Sequence, residues 1–136
     1  QPVSGIAQRA LAEFMRSGGL QRHLVRVGRA YAHRRGLVLA AAAELGPGRT
    51  LGALEGGLHA AITWRGLPDP DRIVASLAER GIDLASLTKY FHGEDPAGRS
   101  GLVFGYGAPS DLQLRSALDE ITAALNDPTE FPLRAE

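Results

Sequence analysis

The sequence has few side chains that could do covalent or metal chemistry. Lys89 is the only lysine, and so the only side chain able to form a Schiff base with a carbonyl cofactor. That chemistry needs a desolvated amine or a cationic neighbour. Lys89, between Thr88 and Tyr90 after a short strand, reads first as a surface residue. Cysteine is absent, which removes disulfides and thiolate ligands or nucleophiles. The histidines, His23, His33, His59 and His92, form no helical HxxxH-type pair, so no metal site is expected. Glu94 and Asp95 are adjacent in a polar stretch and read as a solvated turn, and spacing alone proposes no Ser-His-Asp arrangement. Ser100 and Gly101 with Gly105 and Gly107 are glycine-rich. They bracket a strand instead of leading into a helix, which suits close backbone packing better than a phosphate cradle.

Charge is balanced overall but unevenly placed. The net charge is +0, which argues against a chain-wide grip on nucleic acid. Yet residues 16–35 hold six Arg and two His without one acid. On a helix, Arg22, Arg26, Arg29 and His33 share one face that could hold phosphates or an acidic partner. The ordinary reading is a solvated outer face. Too few aromatic residues lie beside it for a single-strand stacking groove.

The elements that would carry these residues follow from periodicity. At 136 residues, 44% apolar and 22% charged, the chain suits a single domain with a real core. No apolar run is long enough for a bilayer, and the stretch 36–45 is too short and too central for a signal segment. A soluble, cytoplasmic protein with no membrane partner is the expectation. Ser4 opens a helix with Ile6, Ala10, Leu11, Phe14 and Met15 at helical spacing, and Gly18-Gly19 ends it. A longer amphipathic helix follows over 20–45, with Leu20, Leu24, Val27, Tyr31 and Val38 on one stripe. Its second half, 37–43, is apolar all round and is expected inside the domain, and Gly46-Pro47-Gly48 stops it.

The period then shortens. Strands are expected over 50–54 and 58–64, joined by a hairpin turn at Glu55-Gly56-Gly57. Asp69-Pro70-Asp71 opens a helix burying Ile73, Val74, Leu77 and Ala78, and Gly81 closes it. A strand over 82–87, a polar loop over 92–100 and a strand over 101–106 follow. Pro109-Ser110-Asp111 starts the last helix through Leu112, Leu114, Leu118, Ile121 and Leu125. The expected layout is an N-terminal helix at 1–19, a long linker helix at 20–46, a small α/β part at 47–126 and a loose tail at 127–136, all one domain. The fold class is an α/β (α+β) sandwich, a small antiparallel or mixed sheet with helices on one face.

Several segments resemble, in order, one known family. His23, Leu24, Arg26, Arg29, Tyr31, Arg34 and Arg35 are similar to its helix signature, from which Val25 and Gly28 depart. Gly57-Leu58-His59 looks like its Gly-Leu-His segment, Leu87-Thr88-Lys89-Tyr90-Phe91 like its Leu-Ser-x-Tyr-aromatic segment, and residues 102–107 like its Leu-x-Leu-Gly-Tyr strand. The chain thus resembles the C-terminal small subdomain of MocR-type transcription regulators of the GntR superfamily, which fuse a DNA-binding domain to a fold-type-I aminotransferase-like domain. The resemblance runs from about Ile6 to Leu125.

It implies an effector domain that binds pyridoxal 5'-phosphate or senses an amine. The chain alone would not catalyse, because the aldimine lysine and most cofactor contacts lie in the large subdomain. It also implies docking to that large domain, dimerisation or self-association through exposed apolar surface, and DNA contact only through a separate N-terminal domain. The start at Gln1, without Met, is what a fragment would show. In this fold an arginine of the small subdomain forks onto the substrate carboxylate, near the start of the strand matched by 101–106. Here that position is Gly101, and Arg99 is the candidate substitute. The alternatives are the same subdomain of a true aminotransferase, and a free-standing interaction module using the Arg22–His33 face.

Overall fold

The computed structural model describes residues 4–52, 54, 57–66, 68–91 and 98–127. It divides into two compact units, Gln1–His33 and Arg34–Glu136.

In the first unit, α1 spans Gly5–Arg16, and Ser4 stands at its N-cap without a side-chain capping bond. The helix stops because Gly18 turns left-handed at φ 73°, a conformation that costs a side-chain-bearing residue energy. A Cβ on Gly19 would sit 2.4 Å from the Phe14 ring, so any side chain there would have to displace that ring. Gly19 begins the second helix, α2 (Gly19–Ala42), one residue before the expected start. The apolar periodicity of α1 is real but covers nothing: Ile6 is 83% exposed, and Leu11, Phe14 and Met15 are exposed with it.

The second unit starts within α2. Of its apolar run, Val38 is buried, Leu37 and Ala41 are half-buried, and Leu39 is exposed. The run therefore lies on the core by one side and is not enclosed, contrary to the sequence expectation. Its alanines serve helix propensity, which needs no burial. The last turn, over Ala43 to Leu45, tightens to i−3 backbone bonds, so α2 proper ends at Ala42.

The sheet has strands β1 (Thr50–Gly52), β2 (His59–Arg65), β3 (Ala85–Ser86) and β4 (Arg99–Gly105) in the order β1-β2-β4-β3, each pair antiparallel. Side chains alternate across it. Ala60, Ile62 and Trp64 of β2 and Leu102 and Phe104 of β4 are buried in one cluster with Ile73 and Leu77 of α3 (Pro70–Glu79) and Leu114, Leu118, Ile121 and Leu125 of α4 (Asp111–Asn126). The indole of Trp64 is 4% exposed, and its N–H donates to the Pro68 carbonyl at 2.9 Å.

Local chemistry fixes the helix ends. The Asp69 carboxylate accepts from Asp71 N–H at 2.9 Å with Pro70 behind it, and Ser110 forms a full capping box with Gln113. Gly81, at φ 78°, closes α3, and Ile82 N–H reaches back to the Leu77 carbonyl at 2.9 Å.

Several expectations shift. Residue 82 belongs to the cap of α3, and the strand expected over 82–87 shrinks to Ala85–Ser86. Ser86 Oγ accepts from Thr88 N–H and pairs with the Thr88 hydroxyl, which draws the chain off the ladder into a 3-10 turn, Leu87–Tyr90. Arg99 and Ser100, expected in the polar loop, open β4. Ala78, expected on the buried side of α3, is exposed. Residues 55 and 56 of the expected turn, 92–97 of the loop and 128–136 of the tail lie outside the described residues.

Candidate functional site

Parts of three segments that carried the sequence resemblance meet in space: Arg34, Gly57-Leu58 and Tyr106-Gly107. Tyr106 is buried, its hydroxyl donates to the Gly57 carbonyl at 2.6 Å, and its N–H donates to the Leu58 carbonyl at 2.8 Å. A Cβ on Gly107 would sit 2.8 Å from Leu58 Cδ1, so the glycine admits that leucine. Arg34 donates from Nη1 to the Gly107 carbonyl and from Nε to Asp111 Oδ1 at 3.3 Å. Three motifs spaced along the sequence are thus one latch around the Gly107 corner. Their chemistry is packing and backbone satisfaction.

The other face of the sheet is where ligand chemistry can reside. It presents His59, Ala61, Thr63 and Arg65 of β2 opposite Gly105, Val103, Gly101 and Arg99 of β4, in that register. Gly101 is fully enclosed: a Cβ there would meet the Ile62 carbonyl oxygen and Leu87 Cδ2, each at 2.9 Å. No side chain can grow from this position, which explains why the arginine expected there is missing. Arg99 lies two residues earlier on the same strand and therefore on the same face. Its guanidinium carbon stands 5.9 Å from the centroid of the Phe91 ring, within cation–π range. The residue is held in a strand with an aromatic neighbour, where the sequence suggested a loop.

Arg65, directly across from Arg99, was not legible as a site residue, since only strand register brings the two together. It is exposed at the end of β2, and its side chain makes no hydrogen bond or ion pair among the described residues. Lys89 is exposed on the 3-10 turn, as its surface reading expects. Among the described residues no cluster of metal-ligating side chains occurs. His92, Glu94 and Asp95 lie outside them.

In the first unit, Arg22, Arg26 and Arg29 line a shallow groove of about 430 Å³ with Gln21 and Val25. Arg22 Nη1 donates to the Ser17 carbonyl at 3.2 Å, and Arg26 stands 3.3 Å from His23 Nδ1. None of the three arginines makes an ion pair among the described residues, and no acid is among the residues that line the groove. Among the described residues, no helix is long and apolar enough to cross a membrane.

No family model matches the chain. It is 37% identical over 126 residues to the HTH-type pyridoxine biosynthesis transcriptional regulator PdxR of Corynebacterium glutamicum, an alignment covering 93% of this chain and 27% of the regulator. Its fold matches a multiple-substrate aminotransferase from Thermococcus profundus, with TM-score 0.71 and 15% identity, over 87% of this chain and 29% of the enzyme. A second match is aminotransferase Aro8 of Candida albicans, with TM-score 0.60 and 14% identity, over 76% and 26%. The chain spans about a quarter of the curated relative's length and under a third of the solved enzymes'.

Proposed function

We propose, from the premise that this chain is homologous to a MocR-type regulator and has the fold of the C-terminal subdomain of fold-type-I aminotransferases, that it is the ligand-sensing C-terminal part of such a regulator's effector domain. The observation that carries the reading is the 37% identity to a regulator across 93% of the chain. Low-identity likeness to enzymes supports the fold alone. The parent binds pyridoxal 5'-phosphate in the part outside this chain. The residues here do not fit that cofactor by themselves, since Lys89 is exposed on its turn and the sheet face around Gly101 is filled by Leu87. Arg99 is the side chain this subdomain offers to a ligand carboxylate, and DNA is contacted through a separate N-terminal domain. A cytoplasmic location goes with that role.

Ligand binding favours the arrangement in which the two subdomains close, so differential affinity becomes a domain movement. The exposed apolar residues Ile6, Leu11, Phe14 and Met15 are assigned to contact with the remainder of the parent or with a second copy. The test is made on the full reading frame that contains this chain. Its DNA affinity is measured with and without pyridoxal 5'-phosphate and amino acids, in the wild type and in Arg99→Gln. A frame encoding a basic winged helix, with ligand-dependent DNA binding that Arg99→Gln weakens, supports the reading. A frame that starts at the large domain and transaminates makes the chain part of an enzyme and overturns it.

A further inference from the structure

We infer that a groove beside the end of β4 docks an extended segment of a partner protein, one that carries apolar and basic side chains in alternation. The groove has a volume of about 740 Å³, and its lining includes Ile82, Asp83, Phe104, Gly105, Pro109 and Leu112. It lies within the second unit. Phe104 points to the face of the sheet opposite Arg99, so the inference does not depend on the role proposed for that residue.

The groove opens where a strand pair stops early. The β3–β4 ladder ends at the pair Ala85–Val103. Continued by two residues, it would set Asp83 against Gly105, but both line the groove and no ladder joins them. The cause lies upstream: Ile82 N–H is held by the Leu77 carbonyl, which keeps the start of this segment on α3. On the other side of β4, Tyr106 N–H donates to the Leu58 carbonyl, and Phe104 is the partner of Ala60. Bonding alternates along an antiparallel pair. Gly105, between those two residues, therefore turns its N–H and C=O away from β2, toward the open edge. Neither group has a partner among the described residues. An unpaired strand edge is a template on which another chain can pair.

The side chains around that edge state what the segment carries. Leu112 is 79% exposed and forms an apolar lip, while the buried Phe104 lies beneath. Arg80 and Glu120 also line the groove and are paired with each other. Asp83 is exposed, with no ion pair or hydrogen bond among the described residues, and is the carboxylate left to meet a cation. Successive side chains of a strand diverge to two faces. Apolar and basic residues in alternation let one set reach Leu112 and leave the other for Asp83.

The test uses the intact chain and follows the Gly105 N–H by nuclear magnetic resonance at constant ionic strength. The probe is a five-residue peptide of alternating leucine and arginine, blocked at both ends. One control copy is N-methylated at every residue, and another has glutamate for arginine. The probe should shift the Gly105 resonance saturably and slow its exchange with solvent. Both control copies should bind about fivefold more weakly or worse, the scale of a lost backbone bond or a reversed charge. Leu112→Ala should weaken the probe about tenfold. Asp83→Asn should weaken it about threefold, as an exposed ion pair does. Asp119→Asn, an exposed acid of α4 outside the groove, should change nothing.

No response of Gly105, equal binding of the methylated copy, or silence of either groove variant overturns the inference. So does an equal loss in Asp119→Asn, which would reduce the effect to bulk charge. Protection of Gly105 that needs no peptide and rises with chain concentration makes a second copy the occupant, and overturns it too. Leu112 and Asp83 are exposed, so both variants should fold, and Trp64 fluorescence checks that they do.

Discussion

Helix α1 of the first unit and helix α4 of the second are both amphipathic, and they meet opposite fates. In α4, Leu114, Leu118, Ile121 and Leu125 are each 4% exposed or less. In α1, Ile6, Leu11, Phe14 and Met15 range from 44% to 83% exposed. Their caps differ in the same sense: Ser110 makes a reciprocal capping box, and Ser4 makes no side-chain cap bond. Periodicity marks where a helix would be covered, and says nothing of whether the cover comes from the same chain. One unit is built around its own core. The other leaves its apolar stripe exposed.

Paired substitutions put this contrast at risk. Leu118→Ala should cost about 2–5 kcal/mol by denaturant unfolding, as a cavity in a close-packed core, whereas Leu11→Ala should change stability by under about 0.5 kcal/mol. Equal losses would mean that α1 has a buried partner in the folded chain. Glycine gives the next contrast. Gly101→Ala drives a Cβ against a backbone carbonyl and Leu87, and an expected loss of about 1–3 kcal/mol should show in the melting temperature. Gly19→Ala meets the ring of Phe14, which is 44% exposed and can swing aside, so a smaller loss is expected there. The smallest effect belongs to the caps. Ser110→Ala should cost about 1 kcal/mol and Ser4→Ala a few tenths, read by thermal unfolding. A Ser4 effect as large as that of Ser110 would show that α1 is as firmly anchored as α4.

Much of this architecture was legible because its determinants are local. Asp69 with Pro70, Ser110 with Gln113 and the left-handed Gly81 announce helix ends within a few residues of themselves. What misled was also local. The alanine-rich half of α2 looks buried on every side, yet alanine favours a helix whether or not it is covered, and Leu39 stays exposed. The 82–87 segment looks like a strand by composition, but hydroxyl bonding between Ser86 and Thr88 overrides it.

The candidate site divides the same way. Arg99 was reachable as a residue near a strand start, although its place in β4 was not. Arg65 opposite it was hidden, because only β pairing brings residue 65 across from residue 99. The spaced motifs told of kinship. That Arg34, Leu58 and Gly107 form one latch became visible only when the strands were laid side by side.

The enclosed indole of Trp64 gives the molecule an optical label of its own. It is the only tryptophan, and the carbonyl of Pro68 satisfies its N–H in an apolar setting. Its emission should lie to the blue and shift red when the sheet and its helices come apart, while fraying of residues 4–33 leaves it unmoved. Far-ultraviolet circular dichroism counts the helices of both units. A loss of helical signal that precedes the tryptophan shift would therefore separate the melting of the first unit from that of the second in a single unlabelled sample.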